Sequence, residues 1–159
     1  VSTLESENVE FKYQECDVVE FSKQLLLSLN FADSSENHFR FVSSLERYVA
    51  KVEVQYLQQV ILNLLSNADK FTKQGTITLE VSVNESFIEF AVADTGCGIP
   101  QEKQQVVFER FIKLNDFAQG TGLGLSICKL IIQKWGGEIW VDPAYSKGAR
   151  FVFTHPIVK

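Results

Sequence analysis

Asn63, Asn67 and Lys70 sit four and then three residues apart in "LQQVILNLLSNADKFT", residues 57–72. On a helix of about 100° per residue they fall within roughly 60° of one another, as a row of two amides and an ammonium. Each asparagine costs a helix roughly 0.5 kcal/mol against alanine, because its amide competes with the backbone. Two chemistries meet that cost. The row is a solvated helix face, or the amide oxygens meet a hard cation while the lysine meets phosphate. A second candidate is Asp94, which ends the alternating row Ile88, Phe90, Val92 and so points toward an apolar layer. A carboxylate there needs donors. Local backbone amides or Thr95 would serve, and so would a ligand with an exocyclic amine such as adenine. The third feature is glycine: Gly96 and Gly98 in "DTGCGIP", then Gly120, Gly122 and Gly124 in "GTGLGLS". They either make turns or let backbone amides approach an anion. Leu125 stands where a dinucleotide GxGxxG needs its third glycine, and no GK[ST], HRD or DFG is present.

The elements that must position these residues follow from periodicity. "VEFKYQE" (9–15) alternates as a strand, and Asp17 opens a helix to Leu29 with Val18, Phe21, Leu25 and Leu29 on one face. Residues 31–37 form a loop, and "HFRFVSS" and "RYVAKVE" read as strands. The row-bearing helix spans 54–71, with Leu57, Val60, Ile61, Leu64, Leu65, Ala68 and Phe71 on its apolar face. A hairpin follows, turning at Asn84–Ser86. After an irregular stretch, a helix runs to Trp135 and is stopped by Gly136 and Gly137. "EIWVD" and "ARFVFTH" close the chain. This order predicts an α/β two-layer sandwich: a mixed, mostly antiparallel sheet whose adjacent strands can pair as hairpins, with helices on one face.

The 159 residues suffice for one core, and the net charge of −5 argues against nucleic acid as a partner. Cys16, Cys97 and Cys128 form no CxxC and point to a reducing compartment. No apolar run is long enough to span a membrane, so no direct membrane contact is expected of this domain. The chain opens on Val1 rather than Met, as a piece of a longer protein would.

Four segments, in order, resemble the ATP-binding catalytic domain of two-component sensor histidine kinases. "QVILNLLSNADKFT" is similar to the family's N box, "DTGCGIP" to its first glycine box, "FERF" (108–111) to its F box and "GTGLGLSICKLI" to its second glycine box. The resemblance covers about residues 9–156 and implies the sandwich fold shared with gyrase, chaperone and mismatch-repair ATPases. It implies that Asn67 coordinates Mg²⁺ on the ATP phosphates, that Asn63 supports that site and that Lys70 neutralises phosphate. Phe71, Ile99 and Leu125 would line the nucleotide pocket, and Asp94 would accept from the adenine amine beside Gly96 and Gly98. Residues 100–121 would be a lid, hinged by Gly120, Thr121, Gly122, Leu123 and Gly124. Phe108 and Phe111 would dock it and Arg110 would meet phosphate or the phospho-acceptor domain, or pair with Glu109 or Glu102.

The implied reaction is transfer of the γ-phosphoryl group of ATP to a histidine on a separate dimerisation and phospho-acceptor hairpin. Residues 1–8 would be the linker to that hairpin and 9–159 the catalytic domain, cytoplasmic, in a parent protein that is anchored in the membrane in most of the family. A response regulator would receive the phosphoryl group. The acceptor histidine itself is missing: His38 and His155 both lie in strand-like segments and read as structural. "SKGARF" departs from the family at Ala149 and Arg150, where small hydroxyl residues are often seen. The rivals are a gyrase- or chaperone-type ATP-hydrolysing switch, whose catalytic glutamate is here Asn63, an anti-sigma-type serine kinase, and a binding module without activity.

Overall fold

The computed structural model describes residues 10–29, 35–104, 106–108 and 122–157, without the side chains of Gly122 and Leu123. In chain order the described elements are β1 (Gln14–Asp17), α1 (Val18–Leu27), β2 (His38–Ser43), β3 (Val49–Val52), α2 (Val54–Phe71), β4 (Thr76–Val83), β5 (Phe87–Asp94), α3 (Gly122–Lys134), β6 (Ile139–Val141) and β7 (Arg150–Pro156). A single 3-10 turn covers Gln101–Lys103. The main sheet runs β2-β4-β5-β7-β6, and β1 pairs only with β3, in a separate two-stranded ribbon. Every pair is antiparallel except β2 with β4. The expected two-layer α/β sandwich is therefore present.

Two expectations are corrected. The neighbours β2 and β3 do not pair. The chain crosses over through β3 and α2 before β4 lies down parallel to β2, and a parallel pair needs a crossover of that length. The first strand is not 9–15 but Gln14–Asp17. Phe11 and Tyr13 alternate as strand residues do, yet they pack on Tyr56 (5.0 Å between ring centroids) and His155 (5.9 Å). The Lys12 N–H meanwhile donates to the Glu53 carboxylate at 2.6 Å. These contacts replace a β-ladder.

α1 begins as expected, with Asp17 accepting from Glu20 N, but ends at Leu27, where the Ser28 hydroxyl donates to the Leu25 carbonyl. Its buried stripe includes Val19, Ser22 and Leu26, with Phe21 only half-buried. α2 has the predicted bounds and buries six of the seven apolar residues named for it, leaving Phe71 half-buried. Beneath the helices, Phe90 and Phe153 stack at 4.8 Å, and Trp135 closes on Phe153 while its Nε1–H donates to Thr154 O. Gly137 belongs here for want of room: a Cβ would lie 2.1 Å from Thr154 O.

The opposite face of the sheet carries charged residues beside buried Ala91 and Val152. Arg150 reaches across β5 to Glu80 on β4 (3.0 Å) and to Asp142 beyond β6 (2.9 Å). Its side chain is thus engaged in a staple across the sheet.

Candidate nucleotide site

β5 delivers Asp94 to the edge of the core with only 3% of its surface exposed. Oδ1 accepts from Gly96 N (2.9 Å) and Ala149 N (3.1 Å). Among the described residues no donor is aimed at Oδ2, so the carboxylate keeps acceptor capacity after its local needs are met. Both anticipated kinds of local donor are thereby resolved: backbone amides serve Asp94, while Thr95 Oγ1 instead accepts from Thr76 N. Burial pushes the Asp94 carboxyl above its ordinary value, and the two amides pull it partly back.

The chain around Asp94 is drawn in closely. Asp94 N donates to Ala149 O, and the Tyr145 hydroxyl donates to Asp94 O at 2.9 Å. A Cβ on Gly148 would lie 2.2 Å from Asp94 O and 2.6 Å from Oδ1. Tyr145, Gly148 and the Ala149 amide are site residues that the sequence did not assign. They stand more than fifty residues from Asp94, and "SKGARF" carries no local signal of that contact. The Ala149 side chain has no polar part to play, since its amide does the work.

Gly96 is also required by the protein's own packing. A Cβ there would lie 2.1 Å from Phe71 O, the last carbonyl of α2, and Cys97 N donates to that same carbonyl at 3.3 Å. Gly96 therefore lets the end of α2 dock on the Asp94 turn. Gly98 holds φ at +75°, where glycine is favoured. Cys97 is exposed between them, and Ile99 is half-buried against the core.

On α2, Asn63 and Asn67 are half-buried and Lys70 is exposed. The Asn63 Nδ2–H donates to the Cys128 thiol on α3 at 3.7 Å, which sets the two helices side by side. Burial raises that thiol to about 12, so it stays neutral. Neither the Asn67 amide nor the Lys70 ammonium has a partner among the described residues. α3 starts at Gly122, and a Cβ on Gly124 would meet nothing within 4 Å, so no packing demand explains that glycine. Leu125 is a core residue, 4% exposed, which leaves only its backbone for a ligand. Phe108 is buried edge-to-face on Phe151 at 5.9 Å. Arg110, Phe111, Gly120, Thr121, residues 1–8 and most of the expected lid lie outside the described residues. The structure thus brings Phe71, Asp94 and Gly96 to one end of the sandwich, while Asn63 lies midway along α2 against Cys128 of α3. His155 lies buried at the other end, and His38 is exposed on β2.

Residues 53–159 match the model of the histidine kinase-, DNA gyrase B- and HSP90-like ATPase family. Sensor histidine kinase WalK of Bacillus subtilis is 32% identical over 98% of this chain, which spans 27% of WalK. The catalytic domain of histidine kinase ThkA superposes with a TM-score of 0.81 at 28% identity, covering 92% of this chain and 96% of that one. Full-length ShkA, solved in complex with AMPPNP, gives 0.86 at 27% identity over 98% of this chain and 33% of its own. ThkA has also been solved in complex with the response regulator protein TrrA, where the identity of 24% supports likeness of fold alone. No helix among the described residues is long and apolar enough to cross a membrane. The chain belongs to the histidine kinase-, DNA gyrase B- and HSP90-like ATPase family, as an ATP-binding catalytic domain of the sensor histidine kinase kind.

Proposed function

We propose that this domain binds Mg²⁺-ATP and presents its γ-phosphoryl group to a histidine on a separate helical hairpin of a longer sensor kinase. That protein would then pass the group to a response regulator. The observation that carries the reading is the buried Asp94 with both hydrogen bonds on Oδ1. A carboxylate so placed has an acceptor left for the exocyclic amine of adenine.

The donor set suits magnesium. Among the described residues no three His, Cys, Asp or Glu side chains gather to hold a metal. Mg²⁺ is commonly bound by one or two protein oxygens and completed by substrate phosphates and water. Asn67, with an unengaged amide, would supply such an oxygen, and the ion would neutralise phosphate charge. Lys70 adds a mobile positive charge on the same helix face. Phe71 and Ile99 border the base. Asn63, neutral and tied to Cys128, orients rather than deprotonates, so the domain positions ATP without activating water. Hydrolysis by the domain alone is accordingly expected to be slow.

Calorimetry with ADP, with and without Mg²⁺, tests this. Binding by the wild type should strengthen with Mg²⁺, Asn67→Ala should lose that strengthening, and Asp94→Asn should lose binding in both conditions. A folded wild type that ignores ADP, or an Asn67→Ala variant with an intact Mg²⁺ response, would overturn the assignment.

A further inference from the structure

The end of the sandwich away from Asp94 holds a second buried polar centre, on which the described N-terminal arm, residues 10–13, is fastened. His155 is fully buried on β7. Its Nδ1 lies 2.8 Å from Pro156 O, and its Nε2 accepts from Glu53 N–H at 3.3 Å. A carbonyl only accepts and an amide only donates, so these partners require a neutral ring protonated at Nδ1. Glu53, itself 4% exposed, is shared in turn. Its Oε1 caps α2 by accepting from Gln55 N (3.0 Å) and Tyr56 N (3.4 Å), and its Oε2 accepts from Lys12 N (2.6 Å). Tyr13 rests edge-on against the His155 ring, and Phe11 packs on Tyr56.

We propose that Glu53 and His155 form a proton-operated latch, which ties the arm 10–13 to the start of α2 while the ring is neutral and releases it when the ring is protonated. A proton on Nε2 sets N–H against the N–H of Glu53. The new donor then competes for the Glu53 carboxylate, where Oε1 is held by two amides of a continuing helix and Oε2 by one amide of a short arm. The single bond yields, and Tyr13 leaves with it. The groups facing the ring are Glu53 from the start of α2 and Tyr13 from the arm, both titratable. Trp135 from α3 (4.6 Å) and Ile88, its partner on β5, carry no charge. Burial holds the ring below its ordinary 6.5 against the attraction of Glu53, so the latch is closed at neutral pH and opens on acidification below 6.5. None of this depends on what the Asp94 end binds.

The chain has two histidines, and the exposed His38 is the internal control. Ring-proton resonances of both would be followed by NMR from pH 8 to 5, beside exchange of the Lys12 amide corrected for its intrinsic rate. The expected result is a fall of at least tenfold in Lys12 protection, with the midpoint of His155 and below 6.5, while amides in the middle of α2 and β5 keep theirs. His155→Gln should abolish the step and His38→Gln should leave it in place. The latch is overturned if Lys12 protection is flat across the range, tracks His38, or falls only together with the core amides. Should His155→Gln fail to fold, the coincidence or disagreement of the two wild-type midpoints still decides.

Discussion

The two ends of the β5–β7 pair each bury a polar side chain, and the two are provided for differently. Asp94 receives two backbone donors on one oxygen and has the other to spare. His155 has one partner for each nitrogen, and none to spare while the ring is neutral. Burial is nearly the same at 3% and 0%, so burial does not tell a ligand site from an architectural centre. The spare acceptor separates them, because Oδ2 of Asp94 can take a ligand's donor while both ring nitrogens of His155 are already engaged.

Gly148→Ala attacks the Asp94 end most severely. Its methyl group would meet Asp94 backbone and carboxylate at 2.2 and 2.6 Å. The expected loss is about 3 kcal/mol of stability, together with ADP binding, read by urea denaturation and calorimetry. Asp94→Asn is sharper: Asn Oδ1 keeps both backbone bonds while a donor replaces the spare acceptor. ADP affinity should fall about 100-fold, the scale of one charge-assisted hydrogen bond, with the urea midpoint little changed. A variant that binds ADP normally would end the claim that the spare oxygen marks the site. At the His155 end the matching substitution is Gly136→Ala. There φ is +89° but the nearest obstacle, Pro156, is 3.6 Å away, so only backbone strain of about 1 kcal/mol is expected, with ADP binding intact.

Titration separates the ends by sign. Asp94 has a raised pKa in the folded chain, so its contribution is fully present below 3.8 and is lost as pH rises through the folded value. His155 has a lowered one, so its contribution is present above 6.5 and is lost as pH falls through the folded value. Urea midpoints against pH should therefore lose the component above 3.8 in Asp94→Asn and the component below 6.5 in His155→Gln. The smallest effect belongs to the sheet face that carries Arg150. Arg150→Ala removes two partly exposed ion pairs, and its cost should stay below about 1 kcal/mol without touching ADP affinity.

How much of this was legible varies with sequence distance. α2 was readable along its whole length, because an apolar period sustained over eighteen positions leaves few alternatives. The β4–β5 hairpin followed from alternation and a short turn. The arm misled because aromatic residues at every second position look the same whether they join a ladder or pack singly on Tyr56 and His155. Asp94 was legible as a buried carboxylate from its parity. Its partners Tyr145, Gly148 and Ala149 were not, since nothing local says which distant loop will close on it. At Gly96 the sequence did not show the close neighbour that the fold supplies, the last carbonyl of α2.

Cys97 stands exposed between Gly96 and Gly98, two residues before Ile99 and three after Asp94. The other two thiols are shielded: Cys128 is fully buried and held neutral, and Cys16 is half-buried with its thiol pushed up by burial and by Asp17. Because the thiolate is the reactive form, a maleimide dye should modify the native chain at one position without any cysteine being removed. The site thus carries its own attachment point for a reporter, and a nucleotide seated against Asp94 should slow that labelling.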